Sequence, residues 1–244
     1  MSLETNIESQ RERVLLTRLK VFSKSKFEMG STQTQAQNVG DVVGVENQPQ
    51  FLIIGAGSRG NAYAKAVFDS QLGRISGVAD PIVSKRQSLA KKYIWPDGNR
   101  QDNQEFASWR DFLKYEQDRR QRYAAGEDVL PGVDGVFICT LDHTHKEIIT
   151  SLAVLNLHIM SEKPLATSLQ DCIDIYKSIK PRNGESQAKI FSIGHVLRYS
   201  PHNMLLRKLL LNDQAIGDIL SIEHTEPVGW SHFAHSFVRY VHNS

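Results

Sequence analysis

The chain has 244 residues, 40% of them hydrophobic and 23% charged, with a formal net charge of +2. That length suits one large or two modest domains, and the near-neutral charge gives no electrostatic case for nucleic acid or an anionic membrane. No apolar run reaches the roughly 18–20 residues that span a bilayer, and the N-terminus lacks the apolar core of a secretory signal, so a cytoplasmic protein is expected.

Residues 1–49 are set apart by composition. The part 28-EMGSTQTQAQNVGDVVGVENQPQ-50 has few large apolar side chains to offset its ordering entropy and reads as a disordered N-terminal extension. Ahead of it, Val14, Leu15, Leu19 and Phe22 in a basic stretch fit an amphipathic helix or a weak organelle-targeting segment. Glu4, Glu8 and Glu12 favour a solvated, marginal helix.

From residue 51 short apolar runs alternate with helical patterns. Strands are predicted at 51-FLIIG, 75-ISGVAD, 133-VDGVFICT, 157-LHIMSE, 189-KIFSIG and 217-GDILSIEHTEP. Helices are predicted over about 60–70, over 85–93 with Ser84 as cap, and over 105–116. Further helices are predicted over 143–155, over 168–180 with Ser168 as cap, and over 201–211. Residues 117–132 continue the third helix or form a loop. Strands alternating with helices imply right-handed crossovers and a parallel sheet. Continuous runs such as FLII and VFIC suit strands covered on both faces. Cys139 and Cys172 lie in such segments with no paired spacing and are read as reduced thiols.

The turn after the first strand is 55-GAGSRG-60. Gly-x-Gly-x-x-Gly alone is a weak signal, but here it follows a strand and opens a helix, which is the context a dinucleotide site requires. Gly55 allows the tight turn, Gly57 lets the backbone approach a pyrophosphate, and Gly60 lets helix and strand pack closely. Ser58 and Arg59 lie between them, at a helix start whose N–H groups face the phosphates. Asp80 ends the second strand at the spacing of the acid that accepts the ribose hydroxyls of NAD. Arg59, Lys85 and Arg86 are the counterweight, as cations that would pair with the extra phosphate of NADP. The balance favours NAD, with NADP as the alternative.

Four segments, 51-FLIIGAGSRG, 77-GVADP, 136-VFICTLDHTHKEI and 161-SEKPLA, together resemble the Gfo/Idh/MocA oxidoreductases, the glucose–fructose oxidoreductase and inositol dehydrogenase group. The segments 194-GHVLRYSP, 216-IGDILSIEHTEPVGW and 232-HFAHSFVR resemble one subset of it. The resemblance implies an α/β fold: a Rossmann domain with a doubly wound parallel sheet over 50–166, then an α/β substrate and oligomerisation domain, here 167–244, built on a mostly antiparallel sheet. It implies that Lys163 is the catalytic lysine, that Glu162 helps position the cofactor ribose, and that Pro164 follows a cis peptide bond. Thr140, His143 and His145 would line the nicotinamide side, and Arg198 with Tyr199 would face the cleft between the domains. The implied activity is hydride transfer between NAD(P) and a hydroxyl or carbonyl of a sugar, cyclitol or polyol.

The family pattern also runs on to a later Asp-x-x-x-His-type acid/base motif that these residues do not contain, so an incomplete second domain is expected. The alternative reading is a non-catalytic dinucleotide-binding sensor or regulatory protein of the same fold, or an inactive truncated copy. A homo-oligomer through the C-terminal sheet is the one macromolecular partner expected.

Two other motifs are set aside. His232 and His235 form H-x-x-H without a third ligand at a familiar spacing, and no metal is expected. Tyr176 and Lys180 spell the Tyr-x-x-x-Lys pair of short-chain dehydrogenases. The glycine spacing does not fit that family, and the helix periodicity already accounts for Tyr176 as packing. Without the resemblance, Lys163 would read equally well as a surface lysine at a strand end.

Overall fold

The computed structural model describes residues 48–180 and 189–230. The expectations for residues 1–47 and for His232 and His235 lie outside them. The first strand, β1 (Gln50–Ile54), shows how the layers arise. Its side chains alternate across the sheet. Phe51 and Ile53 join one apolar cluster, and Leu52 and Ile54 join a second on the other face. Both faces are covered, so the strand reads as an unbroken apolar run.

Five further strands follow the same logic: β2 (Arg74–Ala79), β3 (Glu105–Phe106), β4 (Gly135–Ile138), β5 (His158–Ser161) and β6 (Phe191–Ile193). All five pairings are parallel, and the order is β3-β2-β1-β4-β5-β6. The first cluster packs β1, β2, β4 and β5 under α1 (Ser58–Ser70) and α2 (Val83–Tyr93) through Ala64, Val67 and Leu89. The second packs the opposite face under α3 (Trp109–Ala124), α4 (His145–Leu152) and α5 (Leu169–Ile179). Its fully buried contributions include Phe112, Ile148, Ile149, Leu152 and Ile175. This is the doubly wound α/β sheet expected, and it runs past residue 166, since β6 is its sixth strand.

Three local expectations are corrected. The helix predicted over 105–116 is a two-residue strand followed by a helix. Val78 N–H donates to Gln104 O and Asp80 N–H to Phe106 O, which claims 105–106 for the sheet. Ser108 then caps α3 by accepting from Asp111 N–H, and the helix runs on to Ala124. Ser84 is not a cap, because α2 starts at Val83, two residues before the predicted start, with Ile82 in the capping position. Residues 217–227 form no strand. Ser168 does cap α5, accepting from Asp171 N–H.

The described residues up to Ser200 make one compact unit, and those from Pro201 make another. The second holds α6 (Pro201–Arg207) and a π-helical turn at Lys208–Asn212. It is exposed almost throughout. Among the described residues no helix is long and apolar enough to cross a membrane.

Leu152 sits at full burial between α4 and the sheet, while Val154 two residues later is half exposed. Leu152→Ala is expected to cost about 2–5 kcal/mol in urea denaturation, against less than about 0.5 kcal/mol for Val154→Ala.

Candidate functional site

In this strand order the connections leave β1 and β4 towards opposite faces, which opens a crevice at their C-terminal ends. The glycine loop turns there. Gly55 has φ of +95°, and a Cβ on it would lie 2.6 Å from the carbonyl oxygen of Cys139. The loop therefore rests directly on the end of β4. A Cβ on Gly60 would lie 2.0 Å from Gly55 O and 3.0 Å from the Ile53 side chain. Gly57 is the opposite case, since a Cβ there would meet nothing within 4 Å. Two glycines are needed for packing inward, and the third leaves its outer side open.

Helix α1 starts immediately after Gly57 with no side-chain cap and no acidic residue in its first turn. Its terminal N–H groups and the positive end of its dipole are thus left for an anion. Ser58 is exposed and Arg59 half-buried in that turn. An open backbone cradle on an uncapped helix start fits the pyrophosphate of a dinucleotide.

Asp80 is 8% exposed at the end of β2. Its Oδ2 accepts from Ala56 N–H and its Oδ1 from Ile82 N–H, both at 2.8 Å. One carboxylate thus ties the glycine loop to the start of α2. A carboxylate offers about four lone-pair positions, so the two left are what a ribose could use.

On the other side of the crevice Thr140 and His143 follow β4. Thr140 is half-buried and its hydroxyl accepts from Thr144 at 2.8 Å, while His143 is exposed in a 3-10 turn. His145 is fully buried, with Nδ1 2.8 Å from Pro164 O and Nε2 3.2 Å from Thr140 O. Its ring joins the loop after β4 to the Glu-Lys-Pro loop after β5, which makes it a brace beneath the crevice and corrects the expectation that it lines it. Glu162 is buried, and its Oε2 accepts from Lys163 N–H at 3.2 Å. Lys163 is exposed, and the Lys163–Pro164 peptide is cis. Arg198 is exposed in a 3-10 turn after β6.

A family model described as an oxidoreductase family with an NAD-binding Rossmann fold matches residues 50–189, more than half of the chain. The chain belongs to the Gfo/Idh/MocA oxidoreductase family. Among similar curated proteins, 2,7-anhydro-N-acetylneuraminate hydratase of Escherichia coli (strain K12) is 35% identical over 98 residues, 40% of this chain and 24% of that protein. Inositol 2-dehydrogenase of Rhizobium meliloti (strain 1021) is 25% identical over 173 residues, 70% of this chain and 42% of that protein. The solved myo-inositol dehydrogenase from Lactobacillus casei, in complex with NAD(H) and myo-inositol, superimposes with a TM-score of 0.53. It has 19% identity over 69% of this chain and 42% of that one, a likeness of fold. This chain spans less than half the length of each of these relatives.

Beneath the family's Glu-Lys-Pro loop lies a polar group that the residue pattern did not single out. The Tyr63 hydroxyl, on the buried face of α1, donates to Glu162 Oε1. Its ring stacks on Phe137 of β4 at 5.3 Å between centroids. Gly194, at the end of β6, leaves little room for a side chain, since a Cβ would lie 3.0 Å from Glu162 Oε1 and 3.1 Å from the Tyr63 hydroxyl. The available signal was a polar tip three residues after Gly60 on the same helix face. Burial, then the charge of Glu162, push the Tyr63 phenol far above the ordinary tyrosine range. The same two causes raise the Cys139 thiol.

Cavities also lie elsewhere. Volumes of about 150 and 490 Å³ open around Arg74, at the N-terminal end of β2. They carry none of the glycine-loop geometry.

The Tyr63 shift has a linkage consequence. The folded state holds the phenolic proton more tightly than the unfolded chain does. Stability from this group is therefore complete below about pH 10, the unfolded value, and falls as pH rises above it. Tyr63→Phe is expected to remove that part of the alkaline decline in pH-dependent denaturation, leaving those of Tyr93 and Tyr115. At neutral pH it should cost about 1–3 kcal/mol, because buried Glu162 loses a donor. An unchanged alkaline profile in the variant would contradict the assignment.

Proposed function

We propose that this chain binds NAD across the C-terminal ends of β1, β2, β4 and β5 and serves hydride transfer to or from a hydroxyl or carbonyl carbon of a sugar, cyclitol or polyol. The observation that carries the reading is the open side of Gly57 above an uncapped helix start, with Gly55 and Gly60 closed against the fold. Gly55, Gly57, Ser58, Arg59 and Gly60 hold the pyrophosphate through backbone N–H groups. Asp80 fixes the loop and offers its remaining lone pairs to the ribose. The nicotinamide supplies the hydride chemistry.

Glu162 holds the Lys163 amide, and Tyr63 and His145 hold the loops on either side. Lys163 leaves this loop exposed. An ammonium there orients the reacting oxygen and stabilises charge developing on it. Thr140, His143, Pro164 and Arg198 complete the proposed cofactor side. The substrate class is supported by the names of the relatives, which include inositol 2-dehydrogenase and levoglucosan dehydrogenase.

The test is titration of the intact chain with NADH, followed by cofactor fluorescence. Saturable binding is expected. Gly57→Val should weaken it on the order of a hundredfold, a loss of ~3 kcal/mol, with the melting temperature unchanged, because the added atoms enter open space. Absence of binding, or equal affinity in the variant, would overturn the reading.

A further inference from the structure

We propose that Glu105 sets the preference for NAD over NADP by tethering Arg86 and balancing its charge at the end of β2, where the 2′ side of the ribose would lie. The inference rests on the dinucleotide reading above. Arg86 lies in the first turn of α2, and its Nη1 donates to Asp80 O at 3.0 Å. The guanidinium is therefore already at the end of β2, where a cation accommodates the 2′-phosphate of NADP in folds of this type. It is not free to do so. Its Nε lies 3.5 Å from Glu105 Oε1, with the two side chains 16% and 8% exposed. Arg100 Nη2 holds the other oxygen of Glu105 at 3.0 Å.

The contact between Arg86 and Glu105 is unusual in one respect. Arg86 Nε and Glu105 Oε1 are buried atoms with no hydrogen-bond partner. They face each other at ion-pair distance without bonding, so charge alone holds them. Charge removal therefore releases the guanidinium without breaking a hydrogen bond. Asp80 and Glu105 balance Arg86 and Arg100, so an arriving phosphate meets a cluster of zero formal charge. Removing the Glu105 charge leaves the cluster at plus one, with Arg86 tied only to a backbone carbonyl. Arg59 and Lys85 also stand near this end of the sheet, and their attraction for phosphate does not depend on Glu105.

Calorimetric titration of the intact chain with NADH and with NADPH separates these contributions. The wild type is expected to bind NADH at least about tenfold more tightly than NADPH. Glu105→Gln should tighten NADPH about tenfold, the scale of one charge-assisted hydrogen bond, with NADH affinity held within about twofold. Adding Arg86→Gln should abolish the gain. If Glu105→Gln lacks a cooperative melt, Glu105→Asp serves instead. It keeps the charge for Arg100 but withdraws it from Arg86 by one methylene, and must shift NADPH in the same direction. NADH binding with an unchanged NADPH ratio in the acid variants overturns this inference alone, as does a gain that survives Arg86→Gln. A wild type that binds neither nucleotide overturns the dinucleotide reading and this inference with it.

Discussion

The contact on which the site depends is the approach of Gly55 to the carbonyl of Cys139, close enough that a Cβ would stand 2.6 Å from the oxygen. It brings the end of β1 against the end of β4 at the point where the sheet's connections diverge. Gly60 repeats the constraint one turn later, against Gly55 itself. Ordinary side chains at these two positions would push α1 off the sheet and with it Val67, Ala64 and Tyr63, which build one face of the core. The crevice therefore exists because two backbones touch, and its open side exists because Gly57 carries nothing to fill it.

Around this contact the loops are tied by buried polar groups. Asp80 joins the glycine loop to α2, His145 joins the loops after β4 and β5, and Tyr63 joins α1 to Glu162. Each links segments distant in sequence. Apolar packing alone is non-directional. Hydrogen bonds from fixed donors hold a loop within the tolerance that positioning a cofactor demands. The cost is that loss of any one partner leaves a buried group unsatisfied.

The sheet was legible because its strands are covered on both faces, so 51-FLII and 136-VFIC stand out as apolar runs. The glycine loop and Asp80 were legible by spacing. The direction of the Asp80 carboxylate was not, because it depends on where the loop places the Ala56 amide. β3 was hidden because two residues give no periodicity, and the α3 pattern follows two residues later. Tyr63 was hidden because a ring on an apolar helix face reads as packing, and only the fold brings Glu162 to its hydroxyl. His145 was assigned by resemblance to the lining and is buried, since its chemistry is visible in sequence but its depth is not. The expected strand over 217–227 has the alternation a strand needs. Alternation without a paired neighbour does not make one, and no strand of the described residues pairs with it.

Cavities also open at the opposite, N-terminal end of β2, so where the dinucleotide sits decides the functional reading. Amide chemical-shift mapping of the labelled chain with added NADH tests it most directly. Shifts are expected to concentrate at Ala56–Gly60, Asp80, Thr140 and Glu162–Lys163. Shifts concentrated at Arg74, Trp95 and Gln101, around the opposite cavities, would contradict it.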